Sequence, residues 1–207
     1  GGSWAEHSSY SAGSFALRSN RAQPGSAESL YYHSAAIDRT FTISAKVRVI
    51  STDQGYGGVA ACVTAANTLY VVYLYAPTGQ WAIGKYVAGS WTALGTWNDS
   101  VSVGTERTVD LVLSSSQVVF KVDGTVRGTF SDTSVTPTRA AVYGGGGSST
   151  QGVHVDDFTT SNVVAASGSD SATGSDSSSG IAVSVPKAGT DSATGSDSSS
   201  LNAHTVT

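Results

Sequence analysis

The sequence predicts an all-β domain over residues 1–160, made of two packed antiparallel sheets and followed by a polar extension over residues 161–207. Apolar residues of the first region alternate with a period of two, and a helical apolar period never persists beyond a turn or two. Gly, Ser, Asn and Pro separate about ten to twelve short apolar segments, which favours a sandwich because two sheets bury both apolar faces. Past Thr160 no aromatic residue remains, so the extension lacks the large side chains of a hydrophobic core.

The individual strands follow from alternation and from the turns between them. The clearest is 40–50, TFTISAKVRVI, in which apolar side chains face one way and polar or charged side chains the other. Segments 109–113 and 117–122 repeat this pattern, and Asp123-Gly124 tolerates the positive φ of a tight hairpin before 125–130 returns. In chain order, the remaining predicted strands are 15–21, 28–34, 57–64, 68–76, 80–87, 90–97, 139–144 and 152–160.

The strand LYVVYLY (69–75) is apolar or aromatic on both of its faces. One face carries Tyr70, Val72 and Leu74, and the other carries residues that include Tyr73 and Tyr75. A strand of this kind belongs in the middle of a sheet. Its second face is therefore either covered by another part of the chain or forms an aromatic platform.

The extension is a repeat of small polar residues. The decamer DSATGSDSSS occurs at 170–179 and again, unchanged, at 191–200, within three imperfect copies of a 21-residue unit. Such a composition buries too little apolar surface to offset its ordering entropy, which predicts a solvated linker. The alternative is a strand-donating segment, GIAVSVP (180–186), that pairs with the backbone of a neighbouring chain.

Charge and cysteine content exclude several kinds of site. Residues 1–160 hold 10 basic and 11 acidic residues, so there is no basic field for nucleic acid. No apolar run approaches the roughly 20 residues of a membrane-spanning helix, and we expect no membrane insertion. Cys62 is the only cysteine, which excludes an internal disulfide and predicts a buried, inert thiol. The absence of Met suggests a piece of a longer protein.

Several stretches of residues 1–160 resemble the laminin-G/concanavalin A-like jelly-roll family. The most recognisable are VFKVDG (119–124) and VHVDDF (153–158), supported by ESLYYHSA (28–35) and by the segments around the predicted strands. Domains of this class are widespread as carbohydrate-binding modules and as adhesion domains on bacteriophage tail and head proteins. The Ser/Asp repeats are similar to segments of minor tail or other virion proteins of actinobacteriophages.

Aromatic residues cluster between Tyr56 and Trp97. Such rings stack on the apolar face of a sugar, while amide side chains take its hydroxyls; the competing interpretation for any one ring is core packing. The candidate glycan surface consists of Tyr73, Tyr75, Trp81 and Trp91 with Asn67, Gln80 and Asn98.

Asp156 and Asp157 are the candidate metal ligands. The resemblance implies a structural calcium near the terminal strand, where related jelly rolls often hold one. Adjacent carboxylates are expected to face opposite sides of a strand, so at most one would face a given site. The alternative is an Asp pair that caps loop amides or is solvated.

No catalytic residue is predicted. Retaining glucanases of this fold place two Glu around an Asp on one strand, because the nucleophile and the acid must stand about 5–5.5 Å apart. This chain has only Glu6, Glu28 and Glu106, in unrelated contexts. We expect a non-enzymatic, homo-oligomeric phage virion protein of the tail or capsid surface, exposed outside the cell, that binds a host-surface glycan. The alternative is a carbohydrate-binding module plus linker from a secreted bacterial glycoside hydrolase.

Overall fold

The computed structural model describes residues 3–10, 15–18, 21–148 and 150–162. The chain divides into two units, Gly1–Ala166 and Ser167–Thr207. The last strand ends at Asn162, two residues beyond the predicted boundary at 160. The rest of the extension, with the predicted strand 180–186, lies outside the described residues, so its role stays a prediction. No helix in the described ranges has the length and apolar character needed to cross a membrane.

The described strands form two antiparallel sheets of seven strands each, which confirms the predicted sandwich. We name them the front sheet, in the order β1-β4-β13-β6-β7-β8-β9, and the back sheet, in the order β12-β11-β10-β5-β14-β3-β2. The front strands are β1 (Trp4–Glu6), β4 (Ser29–Ala36), β6 (Tyr56–Val63), β7 (Thr68–Tyr75), β8 (Gln80–Val87), β9 (Ser90–Asn98) and β13 (Arg139–Gly145). The back strands are β2 (Phe15–Arg18), β3 (Arg21–Pro24), β5 (Phe41–Val49), β10 (Glu106–Leu113), β11 (Val118–Val122), β12 (Thr125–Phe130) and β14 (Val153–Asn162).

The main hydrophobic core lies between the sheets. In β5 each apolar residue from Phe41 to Val49 is buried and each polar residue between them is only partly buried, as the alternation predicts. The large core side chains from the other strands include Tyr70, Leu74, Trp81, Leu111 and Phe120. Burial of these side chains supplies the main free energy of folding.

The strand predictions hold with two exceptions at the N-terminal end. The segment predicted as one strand at 15–21 instead contains all of β2 and the first residue of β3, and these two strands pair as antiparallel neighbours. The short strand β1 was not predicted, because three residues are too few to show a period of two. The hairpin prediction is confirmed, since Asp123 and Gly124 have φ values of 49° and 74° between β11 and β12.

The front sheet has a second apolar face, on the side away from the core. β7 pairs with β6 and β8, so LYVVYLY is a mid-sheet strand as predicted. On the outer face, Leu30, Leu69, Val71 and Tyr143 form a second buried cluster. Cys62 belongs to this cluster, and burial raises the pKa of its thiol to about 12, which keeps it protonated and inert.

The two edges of the sandwich differ. At one edge Arg127 of β12 stacks over the ring of Trp97 on β9, with its guanidinium carbon 3.9 Å from the ring centroid. At the other, Trp4, Phe15 and Phe158 line an apolar cavity of about 430 Å³. The described residues thus close the sandwich more tightly along β9 and β12.

Candidate functional site

An array of aromatic rings covers part of the outer face of the front sheet. Tyr73 of β7 and Tyr143 of β13 both stand opposite Gly58 of β6. The two rings contact each other beside Gly58, with their centroids 5.7 Å apart. The Tyr56 ring lies 5.3 Å from Tyr73 and 5.5 Å from Tyr143, which makes a packed group of three.

Trp91 extends this group toward solvent. Its ring centroid lies 5.0 Å from that of Tyr86 and 6.5 Å from that of Tyr73. The indole lies across Gly84, where a Cβ would come within 2.3 Å of it. Trp91 is 39% exposed whereas Tyr143 is 2% exposed, so the array has a buried base and an accessible end. We name Tyr56, Tyr73, Tyr86, Trp91 and Tyr143 the aromatic platform.

The carboxylate of Glu28 lies beside the platform. The hydroxyl of Tyr143 donates a hydrogen bond to it. Burial is the main cause that raises the pKa values of Tyr73 and Tyr86, and the negative charge of Glu28 raises both further. These hydroxyls therefore stay protonated at neutral pH. Glu28 makes no ion pair with a basic side chain of the described residues.

The N-terminal segment bounds the platform on one side. The Tyr10 ring lies 6.1 Å from that of Tyr143, and its hydroxyl donates to Oδ1 of Asn67 at 2.8 Å. His7 is buried: its Nδ1 accepts from the backbone N–H of Ser9 at 3.2 Å. Its Nε2 therefore carries the proton and donates to the carbonyl oxygen of Val63 at 2.9 Å. These hydrogen bonds hold residues 7–10 in place along one side of the platform, and we name residues 7–10 the wall.

A polar row adjoins the platform at the end of the sheet. Tyr75 stands opposite Tyr56 on one side and Gln80 on the other, and Gln80 stands opposite Asn98. The amide of Gln80 donates to Oδ1 of Asn98 at 3.2 Å. Tyr75 is 41% exposed, so the row offers one ring and two amides to solvent.

The structure thus brings most of the predicted glycan residues to one face. Tyr73 and Trp91 belong to the platform, Tyr75, Gln80 and Asn98 form the polar row, and Asn67 holds the wall through Tyr10.

Trp81 requires a correction. It is fully buried between the sheets, with its ring 5.7 Å from that of Phe120. Trp81 and Gln80 are neighbours on β8, so they face opposite sides of the sheet and cannot both lie on the outer face.

Four residues of the site were missing from the predicted set: Glu28, Tyr56, Tyr86 and Tyr143. Tyr86 could have been identified from the sequence, because it lies an even number of residues from Gln80 on the same strand and their side chains therefore face the same side of the sheet. No sequence pattern could have identified Tyr143 and Glu28, because they lie far along the chain from Tyr73 and only the order of strands in the sheet brings them close to it.

The donor set at Asp156 and Asp157 does not fit calcium. A bulge in β14 gives Asp157 a φ of 48° and places both carboxylates on the outer face of the back sheet, contrary to the expected opposite faces. Asp156 pairs with Arg21 at 3.4 Å, and Asp157 pairs with Nζ of Lys46 at 2.8 Å. Arg21 and Lys46 thus already neutralise the carboxylate charges that calcium binding would require. No group of three or more His, Cys, Asp or Glu gathers elsewhere in the described ranges.

The three glutamates are dispersed as the sequence indicates. Glu6 lies in β1, Glu28 beside the platform and Glu106 in β10 of the back sheet, where Arg21, Lys46 and Arg48 surround it at 3.9–4.0 Å. No strand carries the paired glutamates of a retaining glucanase.

No family model and no curated protein matches the sequence. Among solved structures, the chain is similar to the carbohydrate-binding module CBM66 from Bacillus subtilis, with a TM-score of 0.65 and 13% identity, covering 77% of this chain and 95% of that one. It is also similar to a Bacillus subtilis protein of unknown function with a galectin-like fold, with a TM-score of 0.57, 8% identity and coverage of 77% and 89%. A third similar structure is Bacillus licheniformis β-glucanase, with a TM-score of 0.54, 9% identity and coverage of 76% and 90%. The chain therefore has the concanavalin A/galectin-like jelly-roll fold.

Proposed function

We propose that the aromatic platform and the adjoining polar row bind a glycan without cleaving it. The observation that carries this proposal is the contiguity of Tyr73, Trp91 and their neighbours with the exposed Tyr75, Gln80 and Asn98. Flat rings stack on the apolar face of a sugar, and the amides can bond its hydroxyls. The carbohydrate-binding module among the similar structures supports glycan binding by a chain of this fold, whereas the β-glucanase is an enzyme on the same fold. Dispersal of the glutamates favours binding alone.

The protein context we propose is the tail or capsid surface of a phage virion, outside the host cell. Many copies on one particle would convert weak individual contacts into firm adhesion, so the chain would act as a homo-oligomer. The Ser/Asp repeat supports this context as a spacer or strand donor. A carbohydrate-binding module with a linker, from a secreted bacterial glycoside hydrolase, is an equally supported context. Sedimentation of the full chain separates them, because the first expects an oligomer and the second a monomer.

Substitution Trp91→Ala tests the proposed site. We expect it to reduce oligosaccharide binding at least tenfold, measured by titration calorimetry on the best ligands from a glycan array, because it removes the accessible ring. Trp4→Ala is the matched control: Trp4 is 44% exposed but contacts Phe158 at the sandwich edge, away from the platform. Equal losses in both variants, or no binding by the native chain at millimolar sugar, would refute the proposal.

A further inference from the structure

The charge of Glu28 is the unusual feature of the candidate site. Two other partly buried acids of the described chain have basic partners, since Asp99 lies 2.9 Å from Arg107 and Asp132 lies 2.5 Å from Lys85. Glu28 has no such partner there and is held by the hydroxyl of Tyr143. The Glu28 carboxylate therefore lies beside the platform without a compensating cation among the described residues.

The platform rings next to Glu28 also favour a cation. The face of an aromatic ring carries negative charge density and attracts a cation within about 6 Å of its centroid. Tyr56, Tyr73 and Tyr143 have centroids 5.3–5.7 Å apart, and Trp91 extends the group. Ring faces combined with a carboxylate are the chemistry that recognises organic ammonium groups. They disfavour an anionic ligand, because like charges that share a site repel one another.

We infer that the ligand of this site is a sugar that carries a free, protonated amino group. The inference rests on the proposed glycan function and specifies the ligand class. The ammonium group is held between Glu28 and the ring faces, while the sugar ring stacks toward Trp91 and the polar row. An acetylated amine is neutral and loses the charged part of this recognition, and a uronic acid is repelled.

The test compares three oligosaccharides of equal length by titration calorimetry on the full chain: one of glucosamine, its N-acetylated counterpart, and an oligogalacturonate. At about pH 6 amino groups are largely protonated and glutamates are ionised. We expect the glucosamine oligomer to bind at least tenfold more tightly than the N-acetylated one, and the oligogalacturonate to bind most weakly.

Glu28→Gln identifies the group responsible. The glutamine keeps an oxygen that accepts the Tyr143 hydrogen bond but loses the charge, so we expect the preference to fall below about threefold. Glu106→Gln is the matched control, with the same charge change on the back sheet, and should keep the preference. If Glu28→Gln does not fold, the native chain decides: raising salt from about 0.1 M to 1 M shortens the screening length from about 10 to 3 Å and should reduce the preference.

Three results would overturn the inference: equal affinity for the two matched oligomers, a preference that persists in Glu28→Gln, or a preference lost equally in Glu106→Gln. If the N-acetylated oligomer binds without any preference for the free amine, the glycan function stands and the inference on ligand class falls. If none of the three oligosaccharides binds, the inference on ligand class falls, and the glycan array decides the glycan function separately.

Discussion

Replacing Trp81 by alanine is expected to lower the free energy of unfolding far more than replacing Trp91 by alanine. Trp81 is fully buried, its ring packs on Phe120, and its indole N–H donates to Asp99 at 3.4 Å. A buried Trp removes about 150–250 Å² from water. At about 25 cal/mol per Å² this corresponds to roughly 4–6 kcal/mol, of which alanine keeps a part. We therefore expect a loss of about 4 kcal/mol, within the usual range for such substitutions.

The assay is urea and thermal denaturation of Trp81→Ala, Trp91→Ala and the native chain. For a domain of this size, about 4 kcal/mol lowers the melting temperature by roughly 8–16 °C. Trp91→Ala should cost about 1 kcal/mol or less, because its ring is partly exposed and leaves no closed cavity. If the two variants lost equal stability, or if Trp81→Ala lost less than about 1 kcal/mol, Trp81 would not be a core residue. The assignment of its side chain to the inner face of β8 would then be wrong.

Two further predictions concern pH. Burial alone would raise the pKa of Asp132, but bonds from Lys85, Tyr70 and Ser134 outweigh it and lower the pKa, so this acid stabilises the fold above about pH 4 and its contribution is lost as the pH falls. Asp132→Asn should lower the free energy of unfolding by about 3 kcal/mol at neutral pH, measured by urea denaturation, and should make stability fall less steeply with acidification. An unchanged fall in stability at acid pH would contradict this. Burial lowers the pKa of His154, so the folded state binds its proton less well than the unfolded state, and stability should fall as the pH decreases below about 6.5. His154→Gln should reduce that fall between pH 7 and 5, and an equally steep fall in the variant would show that another group is responsible.

Local sequence patterns predicted the structure correctly where one backbone geometry holds over several consecutive residues. Strict alternation located β5 and its buried face, and Asp123-Gly124 located a hairpin, because both depend on backbone geometry within a few residues. Errors arose where the rule breaks or was applied incompletely. The bulge in β14 turned Asp156 and Asp157 to the same face, and Trp81 was grouped with Gln80 despite its opposite parity.

By itself, the sequence determined that this chain forms two β-sheets with apolar inner faces, that β7 lies inside a sheet, and that glutamates are too few and too scattered for a paired-carboxylate site. Only the tertiary structure decided which rings share a surface. It placed Tyr143, far along the chain from Tyr73, opposite the same glycine, and it left Glu28 beside them without a basic partner among the described residues. The physical reason is that side-chain direction along one strand follows from local parity, whereas the order of strands in a sheet follows from packing of the whole domain.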